Sequence, residues 1–246
     1  SDRGQAKFRK LVPIKNTTEL AGRFVTMAET LKSAGYVTAT MGKWHLGDDP
    51  TTQGFDVNIA GKHWGSPSGG GYHSPYNYPN LITKEKGEYL TDRLGQEACK
   101  FIEKNKDKPF FLNMDNYAVH TPIQAKAEVA AKYDKKTKTK QKNAKYAAMV
   151  ESVDDCAGRI MATLEKHGIA DRTMIIFTSD NGGLMGPTNN APLRSGKGYA
   201  YEGGIRVPLL IKWPGVVNSG TTSAEPVTSV DYFPTIAEVT GLDLPE

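Results

Sequence analysis

The sequence predicts an α/β protein with a central sheet, mainly parallel or mixed, flanked by helices on both faces. Two observations carry this. Segments with helical spacing of apolar residues alternate along the chain with short apolar runs, and those runs are near-continuous, as strands buried on both faces require. A chain of 246 residues, 38% of them hydrophobic, is long enough to bury the core such a sheet needs.

The elements follow in order. "TMAETLKSAG" opens with Thr26 and Glu29 at capping-box spacing and closes on Gly35, where a left-handed residue ends a helix. The strand "YVTATM" comes next. A helix is expected from Thr91 to Asn105, and a buried strand from Phe110 to Met114. Between Asn143 and His167, the residues Tyr146, Val150, Val153, Ala157, Ile160 and Leu164 recur at four- and three-residue intervals, which marks one helix face, stopped by Gly168. The strands "MIIFTS" and "VPLLIKW" flank a glycine-rich loop reaching Gly204, and a short helix is expected near "YFPTIAEVTG". Gly61 to Asn80 reads as one long irregular loop, and long loops in compact domains tend to be functional. Its His63, Trp64, Tyr72, His73, Tyr76 and Tyr78 can line a pocket, since aromatic faces stack on sugar or aryl rings, or can pack the loop itself.

Charge and composition exclude some classes. The net charge of +4 is modest and is concentrated in Lys132, Lys135, Lys136, Lys138, Lys140, Lys142 and Lys145. No Arg or aromatic interleaves from Lys135 to Lys145, so nucleic acid is not the expected partner. A solvated surface, or attraction of a polyanionic substrate, is. No apolar run approaches the ~20 residues of a membrane helix, and the basic start "SDRGQAKFRK" has no signal-peptide core. The expectation is a cytosolic protein or one whose leader has been removed. Cys99 and Cys156 are too few for a disulfide framework and lack metal-type spacing, which leaves the redox compartment open.

Four segments carry chemistry. "FTSDNGG" sets Asp180 and Asn181 after an apolar run, at the strand end where open α/β sheets gather ligands. A carboxylate beside an amide oxygen suits Ca²⁺ or Mg²⁺, although Asn-Gly is equally a turn signal. "MGKWHLG" follows a strand; if it stays extended, Lys43 and His45 face one way and Trp44 the other. A cation and an imidazole can hold an oxyanion and move a proton near neutral pH, the needs of phosphoryl or sulfuryl transfer, while a single histidine also serves as a hydrogen-bonded core residue. "NYAVHTP" puts His120 just after another strand, as a catalytic candidate or a loop histidine. "PLRSGKGYAYEGGIRVP" offers Arg194, Lys197 and Arg206 among glycines that permit close approach to a ligand or serve any irregular connection.

Taken in order, "SAGYVTATMGKWHLG", "QGFD", "PFFLNMDNYAVHTPIQA", "MIIFTSDNGG", "PLRSGKGYAYEGGIRVPLLIKWPG" and "DYFPTIAEVTGL" resemble the type I sulfatase family over nearly the whole chain. The resemblance implies an alkaline phosphatase-like sulfatase core and hydrolysis of sulfate esters, on a sulfated carbohydrate or aryl sulfate. It implies bound Ca²⁺, with Mg²⁺ a possible substitute, and a formylglycine made from Cys or Ser in a C/S-x-P-x-R signature. By motif, Asp180 and Asn181 resemble Ca²⁺ ligands. Lys43 resembles the lysine that contacts sulfate and nucleophile, and Lys197 a second sulfate-binding lysine. His45 resembles the residue that holds the formylglycine hydrate, and His120 the histidine near the leaving-group oxygen.

The departures matter as much. Neither "QEACKFI" nor "VDDCAGR" is the formylglycine signature, and the family's N-terminal metal-binding Asp pair has no counterpart. Residues 1–246 are therefore read as a single catalytic-domain fragment, without the nucleophile segment that precedes "LVPIKNTTEL" in the family or its small C-terminal subdomain, and inactive by itself. Exposed core would favour self-association. A phosphonate or phosphodiester hydrolase of the same superfamily, or a non-catalytic sulfated-glycan-binding module, are the alternatives. By resemblance the compartment is periplasmic or secretory.

Overall fold

The computed structural model describes residues 17–245; the start "SDRGQAKFRK" and the first six residues of "LVPIKNTTEL" lie outside the described residues. Helix α1 (Met27–Ser33) forms on the expected capping box, the Thr26 hydroxyl accepting from the Glu29 N–H and the Glu29 carboxylate accepting from the Thr26 N–H. Strand β1 (Val37–Gly42) follows, then the short β2 (Val57–Ile59), whose three residues are too few to reveal a period. The expected irregular loop holds a small hairpin of β3 (Asn77–Tyr78) and β4 (Leu81–Ile82). Helix α2 (Leu90–Asn105), β5 (Phe110–Asp115) and α4 (Ala144–Lys166) lie where the patterns place them, with α3 (Ala127–Asp134) between the last two. The chain then forms β6 (Ile175–Phe177), one turn of α5 (Glu202–Ile205), β7 (Leu210–Lys212) and α6 (Tyr232–Thr240).

The main sheet runs β2-β1-β5, with every pairing parallel. Central β1 is buried on both faces, which is why it reads as an unbroken run rather than an alternation. Ala39 and Met41 pack into the core with Leu90, Leu94, Ala98, Phe101 and Ile102 of α2. On the opposite face Thr38 Oγ1 donates to the Gly54 carbonyl (2.7 Å), while Thr26 Oγ1 at the start of α1 donates to the Gln53 carbonyl (2.8 Å). Thr38 can be buried on that face because its hydroxyl finds a backbone acceptor. The strands "MIIFTS" and "VPLLIKW" form a separate antiparallel pair, β6 with β7, and Leu210 in β7 stays 61% exposed.

Helix α4 corrects one expectation. The predicted face puts Val150 inward, yet Val150 is 48% exposed, and the buried stripe is Ala144, Ala148, Met149, Ser152, Cys156 and Leu164. Around Cys156 this stripe lies close to α2: a Cβ at Gly95 would sit 3.0 Å from Cys156 Sγ. The helix is turned so that Met149, rather than its neighbour Val150, faces the core. Part of the lysine run has structural partners, Lys132 with Glu151 of α4 (2.7 Å) and Lys138 with Asp134 (3.3 Å). No helix among the described residues is long and apolar enough to cross a membrane.

These assignments separate two substitutions. Leu94→Ala, in a fully buried position, is expected to lose ~2–5 kcal/mol of stability, whereas Val150→Ser stays within ~0.5 kcal/mol of wild type in chemical denaturation. Equal losses would restore the sequence-derived helix face.

Candidate active site

The site forms where β1, β5 and β6 end. At Gly42, φ is +112°, and a Cβ there would lie 1.8 Å from the Asp115 carbonyl oxygen. Only glycine lets the two strands stay paired to their last residue. The Lys43 N–H then donates to that same Asp115 oxygen (2.7 Å), which fixes the exit of the chain from the sheet.

The segment beyond does not stay extended. His45 adopts a left-handed backbone (φ +64°), and its N–H donates to the Lys62 carbonyl (2.9 Å). Histidine visits this region more readily than bulkier residues, and such strain clusters at functional positions. Lys43 and His45 therefore reach one site through a turn rather than through strand alternation. The His45 ring lies against Gly65, where a Cβ would be 2.6 Å from Cε1. Trp44 turns away and packs edge-on to Phe55, with centroids 5.7 Å apart.

His120 is set by its backbone. Tyr72, fully buried, donates its hydroxyl to the carbonyls of both Tyr117 (2.6 Å) and His120 (2.8 Å). The His120 Nδ1 lies 2.9 Å from the Thr121 carbonyl, an acceptor, so geometry assigns a proton to Nδ1 and leaves Nε2 for a ligand. Tyr76 and Tyr78 of the long loop are likewise buried, with hydroxyls donating to Glu88 and to the Gly71 carbonyl, so both pack the loop, and Tyr78 also borders a groove beside Trp64.

Lys197 arrives on the glycine-rich loop, which locks onto "SDNGG" from two sides. The Lys197 N–H donates to the Gly183 carbonyl (3.1 Å), and the Gly182 N–H to the Gly204 carbonyl (2.9 Å). A Cβ at Gly182 would lie 1.8 Å from the Gly203 carbonyl oxygen. Arg194 instead lies over the Tyr201 ring (3.8 Å) and Arg206 pairs with Glu202 (3.4 Å), so neither bonds to the site residues.

Charge ties the pieces together. Lys43 Nζ is 3.2 Å from Asp180 Oδ2, and the Asp180 carboxylate remains largely open to solvent. Partial burial holds the His45 pKa below that of an ordinary histidine, and the nearby charges of Lys43, His120 and Lys197 push it further down. Those four side chains thus share one field. Asn181 donates its amide N–H to the Gly182 carbonyl (3.1 Å), a bond that does not use its side-chain oxygen. Asp180 and Asn181 are the residues that could hold a hard cation.

Asp115 was not singled out from sequence. Burial pushes its carboxyl up to about 7, against the pull of Lys43 and of a hydrogen bond from the Asn113 amide, and the Asp180 charge raises it further. The available signal was its position, an acid as the last residue of a strand at the sheet's carboxyl edge.

A family model described as Sulfatase matches residues 4–242. The chain belongs to the sulfatase family. A sulfatase of Formosa agariphila is 36% identical over 96% of this chain and 53% of its own length. N-acetylgalactosamine-6-sulfatase of Homo sapiens is 33% identical over 89% of this chain and 45% of its own. The crystal structure of Ps i-CgsB in complex with k-i-k-neocarrahexaose superposes with a TM-score of 0.80 at 33% identity, covering 94% of this chain and 56% of that one. The chain spans about half the length of the curated relatives it matches. The alkaline phosphatase-like sulfatase fold expected from the motifs is thereby borne out.

The charge arrangement makes a spectroscopic prediction. Lys43→Met removes the nearest cation, so the His45 pKa in an NMR titration should rise, yet stay below the ordinary 6.5 because burial is the larger cause. A fall, or no movement, would contradict the shared field.

Proposed function

We propose that this chain supplies the sulfate-binding and proton-transfer side chains of a sulfatase acting on sulfated glycans. The observation that carries it is the Lys43–Asp180 ion pair (3.2 Å) at the carboxyl end of the sheet, with the charges of Lys43, His120 and Lys197 acting on His45. Glycan substrates are favoured by the similarity to a structure holding neocarrahexaose, and by a site built of polar loops rather than an apolar cleft.

Lys43 and Lys197 would neutralise the sulfate oxygens, whose charge grows in the transition state. His45, kept neutral to lower pH than an ordinary histidine, can accept and hold a proton at the reacting oxygen. His120, anchored through Nδ1, presents Nε2 to the leaving alcohol oxygen, and when protonated donates from it.

The donor chemistry at Asp180 and Asn181 fits Ca²⁺: two hard oxygens, one already attracting the Lys43 ammonium. No group of three or more His, Cys, Asp or Glu positioned for a metal occurs among the described residues, so the pair makes up part of a shell. When bound, Ca²⁺ would supply charge that clamps the sulfate.

Formylglycine does not fit the residues here. Cys156 is buried between α2 and α4 with its thiol pushed up to about 11, and Cys99 Sγ donates to the Arg159 carbonyl (3.6 Å) in the same helix packing. Neither lies in the C/S-x-P-x-R signature, so no nucleophilic step is assigned to this chain.

Two measurements test the reading. In the full-length protein that contains this chain, His45→Ala should lower kcat for sulfate release from a carrageenan oligosaccharide by ~10²–10⁴-fold with little change in KM. Asp180→Ala should abolish Ca²⁺ dependence while the circular dichroism spectrum is retained. A rise in KM alone would make His45 a binding residue, and preference for a phosphodiester over the sulfate would overturn the proposal.

A further inference from the structure

The loop that carries His120 is fastened to the aromatic loop of Tyr72, and the bonds converge on one residue. The Tyr72 phenol has a single proton and lies within hydrogen-bond distance of two carbonyls, those of Tyr117 (2.6 Å) and His120 (2.8 Å). The Tyr117 carbonyl also accepts the His120 N–H (2.8 Å), so residues 117–120 close into a turn whose first and last carbonyls both meet the Tyr72 oxygen. Further along the same loop, the Tyr72 N–H donates to Gln124 Oε1 (3.0 Å) and the Tyr89 hydroxyl donates to the Gln124 carbonyl (2.9 Å). Tyr89 in turn stacks on Tyr72, with centroids 5.9 Å apart and planes tilted by 23°. His120 is thus bracketed, at Tyr117 before it and Gln124 after it, by contacts that begin at Tyr72 or its stacking partner.

Burial makes these contacts firm. Tyr72, Tyr89 and Tyr117 are all buried, whereas His120 is half-buried and its Nδ1 lies against the Thr121 carbonyl (2.9 Å). Burial, with the neighbouring Tyr89, Tyr78 and Tyr117, pushes the Tyr72 pKa far above that of an ordinary phenol, so its hydroxyl stays a donor throughout the working pH range. The backbone of His120 is therefore set from beneath by Tyr72, and its ring from the side by the Thr121 carbonyl. The direction of Nε2 follows from the two together.

We infer that Tyr72 is a positioning residue for proton delivery to the leaving group: its hydroxyl fixes the turn that aims His120 Nε2, without itself reaching the substrate. The inference rests on the reading of His120 as the group that protonates the leaving oxygen. In that step the ester oxygen keeps the electron pair of the broken S–O bond and takes the Nε2 proton, so a displaced ring does most harm where the departing oxygen is most basic. A sugar hydroxyl, which would otherwise leave as an alkoxide, depends on that proton. A nitrophenol, which leaves readily as its anion, hardly does.

The test compares wild type with Tyr72→Phe in the full-length protein on two sulfate esters, a carrageenan oligosaccharide and a nitrophenyl sulfate. Phenylalanine keeps the ring stacked on Tyr89 and removes only the hydroxyl. Sulfate release from the oligosaccharide should lose ~10–10²-fold in kcat with KM little changed, and release from the nitrophenyl ester about twofold or less. In a His120→Ala background, Tyr72→Phe should have no further effect on the oligosaccharide, as expected when one residue acts through the other. Tm is measured for each variant. Tyr89→Phe, which frees the Gln124 end of the same loop, should show the same selectivity at smaller size, and it decides the question if Tyr72→Phe does not fold. Equal losses on the two esters, or the same loss with and without His120, would overturn the positioning role. Failure of the sulfatase reading looks different: the wild type then releases sulfate from neither ester.

Discussion

The paired ends of β1 and β5 leave no room for a side chain, and the site depends on that contact. With a Cβ at residue 42 placed 1.8 Å from the Asp115 carbonyl oxygen, only glycine keeps the strands together to their last residue. The same carbonyl then accepts from Lys43 N–H, and the chain leaves the sheet in one defined direction. Lys43, the left-handed His45 and the segment of Lys62 to Gly65 that receives it all inherit their positions from this exit. A second contact of the same kind, Gly182 against the Gly203 carbonyl, fastens the loop bearing Lys197 to the loop bearing Asp180. With both exits fixed, the side chains of Lys43 and Asp180 meet although they lie 137 residues apart.

The assembled site is electrostatically unbalanced by design of its loops. Lys43, Lys197 and two imidazoles lie near one another, and their mutual repulsion is what lowers the His45 pKa beyond the effect of burial. Asp180 offsets part of that charge through Lys43, and the half-buried Asp115 adds to this only where it is ionised. A cluster of cations held by rigid backbone, at a cost in folding stability, needs no rearrangement when an anionic group arrives. The core beneath supplies the rigidity: β1 is packed on both faces, and Tyr72 ties the loop of His120 to the loop of Trp64.

Much of this was legible in the residues. The capping box of Thr26 and Glu29, the apolar runs of β1 and β5 and the glycine stops each act locally, so they can be read without a structure. The motifs around Lys43, His45, His120, Asp180 and Lys197 were legible for the same reason. What was not legible depended on neighbours. Val150 belongs to a regular apolar pattern, but the packing of α4 against α2 made Met149, Ser152 and Cys156 the buried face instead. Tyr72, Tyr76 and Tyr78 looked as much like a ligand platform as Trp64 did. Only their hydroxyl partners show that Tyr72 and Tyr76 serve packing, while Tyr78 packs the loop and borders the same groove as Trp64.

The sequence by itself determined the α/β class, the order of the main elements, the family and the identity of the charged side chains at strand ends, because periodicity, caps and motif spacing are properties of neighbouring residues. The tertiary structure decided which of those side chains meet. Lys43 and His45 converge through a positive-φ turn rather than strand alternation. Asp115 joins them only because β5 pairs with β1, and Arg194 and Arg206 are drawn off by Tyr201 and Glu202. Distances between residues 43 and 180 are set by packing of the whole core, and no local pattern encodes them.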